Sequence, residues 1–272
     1  MLHAKKSLGQ HFLRSKSALA KIVEAARLSP CDTVLEVGPG EGALTELLLL
    51  RAGRVIAVEK DDRLIPILRQ KFATEIASGK LGLIHADILN YELGIRNYGN
   101  RYKLVANIPY YITGAFIRKF LESDTQPSAM ALLLQKEVAK RIVARDGKES
   151  ILSISVKAYG TPIYIDTVKA GAFSPPPKVD SAIIAIENIS KSIFSDGLAQ
   201  PPTVTRFNLV KEREKRFFEL LKKGFAHPRK LLASNLGVDS EKLIQCGIAE
   251  KSRAENLTLQ QWRSLVAALY SH

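Results

Sequence analysis

The 272-residue chain is 46% hydrophobic and 25% charged, long enough for one large domain or two unequal ones. No run is long and apolar enough to span a bilayer, the basic start "MLHAKKSLGQHFLRSK" lacks the apolar core of a secretory signal, and the sequence reads as cytoplasmic. Forty Lys and Arg against 27 Asp and Glu leave +13, which favours polyanions, nucleic acid before an anionic membrane surface; two cysteines without a CxxC exclude a zinc module and a disulfide framework.

The first predicted element is a helix over 18–26. Apolar strand-like and helical segments then alternate. "DTVLEVG" (32–38) precedes a helix over 43–52, and "RVIAVEK" (54–60) precedes another over 62–77. Strands follow at 81–89, 103–108 and 129–135, with a helix at 113–123 between the last two. Short apolar strands alternating with helices imply a parallel sheet covered on both faces. From residue 152 the rhythm changes: 152–168 and 178–188 both read as strands flanking "GAFSPPPK", an antiparallel hairpin closing one edge of the sheet. A polar connection after Asn188 leads to a helical tail with Phe217, Leu220, Leu221 and Phe225 at helical spacing, Trp262 as core, and a capping box at Thr258 and Gln261. The expected domains are therefore 1–190 and 191–272. The tail carries 14 basic and 8 acidic residues, so the positive charge is not confined to one end.

The chemistry-bearing residues cluster at predicted strand ends. "EVGPGEG" (36–42) is a glycine-rich turn into a helix N-terminus, but its spacing is not that of dinucleotide-binding turns, and Pro39 has no N–H to offer a pyrophosphate. Alone, it also fits a tight turn without ligand. Glu59, 17 residues past Gly42, ends the next strand and is placed to accept hydrogen bonds from ribose hydroxyls; Asp87, at the end of the third, could bind an adenine amine. Either alone also fits a solvated strand-end acid. Together they describe a pocket for a phosphate-free adenosine compound such as S-adenosylmethionine.

The fourth strand ends in Asn107-Ile108-Pro109-Tyr110. Pro109 stops the strand and leaves outward carbonyls; the Asn107 oxygen and a main-chain carbonyl can both accept from one –NH2 group, and Tyr110 offers a ring for a flat base. An exocyclic adenine amine is a poor nucleophile because its lone pair is delocalised into the ring. Two acceptors that draw its hydrogens out of plane aim that lone pair at a methyl donor.

These residues, with "KSLGQHFL", "EVGPGEGALT" and "FSPPPKVDSA", resemble the KsgA-type ribosomal RNA adenine dimethyltransferases from about Lys5 to Trp262. The resemblance implies an α/β, Rossmann-like class I methyltransferase sheet with a small all-helical, RNA-binding C-terminal domain. It implies dimethylation of two adjacent adenosines in the 3′-terminal hairpin loop of small-subunit (16S) ribosomal RNA. The partner would be that RNA within a pre-ribosomal small subunit, and the chain would act as a monomer without metal or membrane. By motif match, His11, Leu13, Gly38, Gly40, Glu59, Asp87 and Asn107 would contact S-adenosyl-L-methionine. Asn107, Pro109 and Tyr110 would hold the target base, with Phe173 against its other face. The family often carries Asn where His11 stands; a ring nitrogen can replace that amide as a donor. A large-subunit RNA methyltransferase, or an assembly or transcription factor of the same fold without turnover, are the alternatives.

Overall fold

A computed structural model describes Lys5 and residues 8–92, 101–195 and 204–270. The beginning of the basic arm and part of the connection after Asn188 lie outside the described residues. The chain divides into two compact units, Met1–Ala139 with Thr161–Ile189, and Lys140–Gly160 with Ser190–His272.

The first unit is built on a seven-stranded sheet. Its parallel strands are β2 (Thr33–Val37), β3 (Arg54–Glu59), β4 (Leu81–His85), β5 (Tyr102–Asn107) and β6 (Ala129–Gln135). With β7 (Thr161–Val168) and β9 (Ser181–Glu187), the order is β4-β3-β2-β5-β6-β9-β7. The antiparallel β7–β9 pair closes one edge, with β9 lodged between β6 and β7. Val34, Leu35, Val55, Leu104, Val105 and Ala106 are buried, as expected where side chains on both faces are covered. Helices α1 (Lys16–Ala25) and α2 (Ala43–Leu49) bury Leu19, Ile22, Leu44 and Leu48 in the same core as Val34 and Val105. A separate two-stranded ribbon pairs β1 (Phe12–Leu13) with β8 (Phe173–Ser174).

Several boundaries differ from expectation. The third strand stops at His85, two residues before Asp87. The helix expected over 62–77 is two, α3 (Leu64–Lys71) and α4 (Ala73–Ala77), separated by Phe72 at φ −114° and ψ 32°. Residues 152–157 are not strand but helix α7 (Ile151–Lys157), which follows α6 (Lys136–Val143). The Ser150 hydroxyl accepts from the Ser153 N–H while Ser153 Oγ takes the Ser150 N–H, a reciprocal cap that starts α7 despite its alternating, β-branched sequence. The segment Lys140–Gly160 therefore belongs to the helical unit.

In the second unit, α9 (Val204–Gly224) buries Phe217, Leu220 and Leu221, and α12 (Leu259–Tyr270) buries Trp262 completely. A Cβ at Gly224 would lie 2.4 Å from the indole, so glycine lets the two helices meet there. Thr258 and Gln261 form the expected reciprocal cap, at 3.0 and 3.3 Å.

Candidate active site

The carboxyl ends of β2, β3 and β5 open onto a cavity of about 160 Å³. Parallel strands direct their loops to this edge, and the order reverses between β2 and β5, where ligands of open α/β sheets bind. The walls are apolar at Val37, Val58, Ile88 and Ile112, with Glu59, Lys60, Asp87 and Asn107 placed around them. Gly38, Gly40, His11, Pro109 and Tyr110 also line it. Gly40 has φ +59°, and a Cβ there would approach the Phe12 ring to 3.1 Å, so glycine is required both by the turn and by the ribbon laid over it. A Cβ built on Gly38 would come within 3.7 Å of the Asn107 carbonyl. The glycine turn and the Asn-Ile-Pro-Tyr end of β5 are direct neighbours.

Glu59 is buried, and its position is over-determined. Oε2 accepts from the Gly40 N–H at 3.1 Å, and Oε1 accepts from the Lys60 and Asp61 N–H groups, both at 2.8 Å. Burial pushes its pKa up, and the three N–H donors oppose that rise. A carboxylate has about four acceptor positions. One remains, on Oε2, for a ligand hydroxyl; capture of a second would require the Gly40 N–H to yield. The Lys60 ammonium 2.9 Å from Asp87 Oδ2 lowers the Asp87 pKa, helped by the Leu89 N–H at 3.0 Å on Oδ1. This ion pair was not foreseen, because residues 60 and 87 meet only through the β3–β4 pairing. Glu36, in the glycine turn's first position, is fully buried; burial pushes its pKa up to about 8, against a smaller opposing pull from the Thr45 hydroxyl.

At the end of β5, Asn107 Nδ2 donates to the His11 carbonyl at 3.3 Å. That fixes the amide so that nitrogen faces the arm and Oδ1 is left as acceptor. The Pro109 carbonyl, expected to be unpaired at the strand end, is instead taken by the Ile112 N–H, which donates to it at 3.1 Å. Ile108 donates its N–H to Leu133, while its own carbonyl accepts no hydrogen bond from a described residue. Asn107 Oδ1 and the Ile108 carbonyl are thus the acceptor pair. The Tyr110 hydroxyl is 2.6 Å from Ser181 Oγ, a contact the sequence did not suggest, and burial raises the Tyr110 pKa.

The arm residues and Phe173 are placed differently from one another. His11 lines the cavity, its Nδ1 donating to the Pro175 carbonyl at 2.8 Å. Leu13 borders a smaller adjoining cavity of about 50 Å³ with Gly38, Gly40 and Asn107. Phe173, 5% exposed, pairs with Leu13 across the ribbon, sits in the core with Ile183 and does not line the main cavity. Gln10, absent from the expected set, donates to Asp61 at 2.8 Å.

Sheet order, cavity position and polar groups together define a class I methyltransferase. The chain matches the ribosomal RNA adenine dimethylase family over residues 1–270. It is 44% identical to the ribosomal RNA small subunit methyltransferase A of Dehalococcoides mccartyi over 97% of this chain and 88% of that protein. It is 36% identical to the protein of the same name from Fusobacterium nucleatum, over 96% of each. Among solved structures, it resembles a dimethyladenosine transferase from Plasmodium falciparum (TM-score 0.76, 25% identity, 94% of this chain and 96% of that one). It also resembles the 23S rRNA methyltransferase ErmE (TM-score 0.74, 26% identity, 95% and 99%). The chain belongs to the ribosomal RNA adenine dimethylase family.

The residues present fit the cofactor such enzymes use. An apolar slot with acceptors at Glu59 and Asp87 suits a neutral adenosine; among the described residues no arginine lines it, and Lys60 is already paired with Asp87.

Proposed function

We propose that this chain dimethylates the exocyclic amines of two adjacent adenosines in the 3′-terminal hairpin loop of small-subunit ribosomal RNA, acting as a cytoplasmic monomer on a pre-ribosomal particle. The observation that carries the reading is the acceptor pair, Asn107 Oδ1 and the Ile108 carbonyl, beside the Gly38 turn and lining the same cavity as Glu59.

S-adenosylmethionine, when bound, supplies an electrophilic methyl on sulfur. Gly38 and Gly40 allow the backbone to approach it, Glu59 accepts from its ribose and Asp87 from its adenine amine. Asn107 and Ile108 accept the two hydrogens of the target amine and favour its pyramidal form, which exposes the lone pair. Tyr110 supplies a stacking face to the base after it leaves its RNA stack. No strong base is required before transfer: the amine would take the methyl as its S–C bond breaks, the donor would leave as the neutral thioether S-adenosylhomocysteine, and the ammonium proton would then pass to water. The side chains act by orientation and electrostatics.

The net charge of +13 supports a polyanionic substrate, and the 44% identity to a small-subunit enzyme favours that RNA over large-subunit RNA. Purified protein and labelled S-adenosylmethionine, offered undermethylated small and large subunits side by side, are expected to yield dimethyladenosine in the small-subunit RNA. Label confined to large-subunit RNA, or RNA binding without label, would overturn the reading.

A further inference from the structure

The Tyr110 side chain is tied to the antiparallel edge of the sheet. Its hydroxyl lies 2.6 Å from Ser181 Oγ, a residue 71 positions away in sequence. Ser181 is fully buried. It opens β9, where its backbone pairs with Gln135 on β6 and with Val168 on β7. Just before it, the Asp180 carbonyl takes the Lys136 N–H at 3.0 Å, and the Asp180 carboxylate takes the Ala170 N–H at 3.1 Å. Strands on both sides and the residue ahead of it fix where the serine hydroxyl stands.

Tyr110 has no such support of its own. It begins a single turn of 3-10 helix, Tyr110–Ile112, that follows Pro109 and has no side-chain cap. A tyrosine on so short a turn can swing about its first side-chain torsion between staggered wells. One hydrogen bond at the tip removes that freedom. With the backbone holding one end of the side chain and Ser181 the other, the ring can turn about its long axis but cannot swing out of the cavity it lines. Among the described residues, each of the two hydroxyls has only the other as hydrogen-bond partner. Phenylalanine at position 110 would therefore keep the stacking face and lose the anchor.

We propose that Ser181 is a positioning residue for methyl transfer: its hydroxyl anchors the Tyr110 ring where it stacks on the target base, so that the base's amine rests on Asn107 Oδ1 and the Ile108 carbonyl. This rests on the adenine-methylation reading above. Ser181 does not line the cavity and acts only through Tyr110. The antiparallel β7–β9 pair thereby serves the chemistry of a site otherwise built from the ends of parallel strands. A displaced ring would leave the base bound but its amine poorly aimed, a loss in the rate of transfer rather than in affinity.

The test compares Ser181→Ala, Tyr110→Phe and the double variant with the wild type. Under single turnover on undermethylated small subunits, each single variant is expected to lose about three- to tenfold in rate, the worth of one ordinary hydrogen bond. The half-saturating subunit concentration should change by less than about twofold, because phosphate contacts dominate affinity. The double variant should be no slower than the slower single, since both substitutions delete the same interaction. A readout free of substrate stands beside this. In protein labelled with fluorotyrosine, the fluorine resonance missing from Tyr110→Phe belongs to Tyr110, and in Ser181→Ala it is expected to move towards the position of free fluorotyrosine. Rate losses that multiply in the double variant, or a Ser181→Ala protein that melts lower yet transfers methyl at the wild-type rate, would make Ser181 a structural residue only and end the proposal. An unmoved resonance would end it equally. If the wild type leaves small subunits unmethylated while the resonance still depends on Ser181, the anchor stands and the assigned substrate falls.

Discussion

Gln10 Nε2 donates to the Asp61 carboxylate at 2.8 Å, and the Asp61 N–H in turn donates to Glu59 at 2.8 Å. One buried residue therefore joins the N-terminal arm to Glu59 in the cavity wall. The Arg63 guanidinium holds the Asp61 carboxyl well below the usual carboxylate range, so the acceptor stays charged throughout the physiological range. On the arm side, the Gln10 amide oxygen takes the Lys5 N–H at 2.8 Å.

From this follows the first prediction. Gln10→Ala removes a hydrogen bond to a charged acceptor without touching the core, worth about 1.5–3 kcal/mol where the site is closed to water. The expected result is S-adenosylhomocysteine binding weakened roughly tenfold, mostly through faster dissociation, with the melting temperature little changed. Equal dissociation rates for variant and wild type, measured by stopped flow, would show the arm to be uncoupled from the cofactor site.

Glu36 supplies a pH-dependent prediction about stability. Its folded pKa is raised to about 8, against an ordinary value of 4.5 for an exposed glutamate, so between these limits the folded state holds a proton that the unfolded state has lost. Stability is therefore predicted to fall as pH rises through this window and to level off above it. Glu36→Gln keeps the shape and removes the titration. It should gain a few kcal/mol over wild type at pH 8 and almost nothing at pH 4.5, read from urea denaturation at both values. A wild-type stability curve that rises from pH 5 to 8, with the variant parallel to it, would place the Glu36 proton elsewhere.

Asn107 separates chemistry from binding. Asn107→Ala deletes the oriented acceptor and the tie to the His11 carbonyl together. Loss of one such preorganised group costs roughly 10²–10³ in kcat. RNA affinity, dominated by phosphate contacts, should change less than about twofold in a filter-binding assay at fixed salt. Parallel loss of RNA binding and turnover would mean that the residue holds the RNA rather than the reacting amine.

The parts legible in the sequence are those whose signal is local. Strands β2, β3, β5 and β6 are apolar runs buried on both faces, and the Gly38, Glu59 and Asn107 positions follow from strand ends alone. What escaped depends on distant partners. Phe12–Leu13 becomes a strand only because Phe173–Ser174 lies beside it, and the Asp61 carboxylate is tied to the arm only through the distant Gln10. Residues 151–157 alternate like a strand, yet Ile154 and Val156 are buried in a helix that Ser150 caps and α9 packs against. Tertiary packing overrode a propensity worth about 1 kcal/mol or less.

That packing also makes a prediction in the helical unit. Just past α7, the Tyr159 hydroxyl donates to Glu214 on α9, whose other oxygen is 3.1 Å from Lys191 Nζ. The Tyr159 ring stacks on Phe218 at 5.8 Å and meets the edge of Phe194 at 5.7 Å, and the residue is buried. Glu214→Ala removes the carboxylate that both the hydroxyl and the ammonium hold and is expected to destabilise by about 2–4 kcal/mol. Tyr159→Phe leaves the rings in place, frees only the acceptor, and should cost about 1 kcal/mol. Because the two residues share one interaction, the double variant should be less destabilised than the sum of the singles. Chemical denaturation of the full chain, followed by the fluorescence of buried Trp262 in the same unit, reads this cycle directly. Additive losses would mean that Glu214 acts on Lys191 alone and that the hydroxyl does not help hold residues 140–160 to the helical unit.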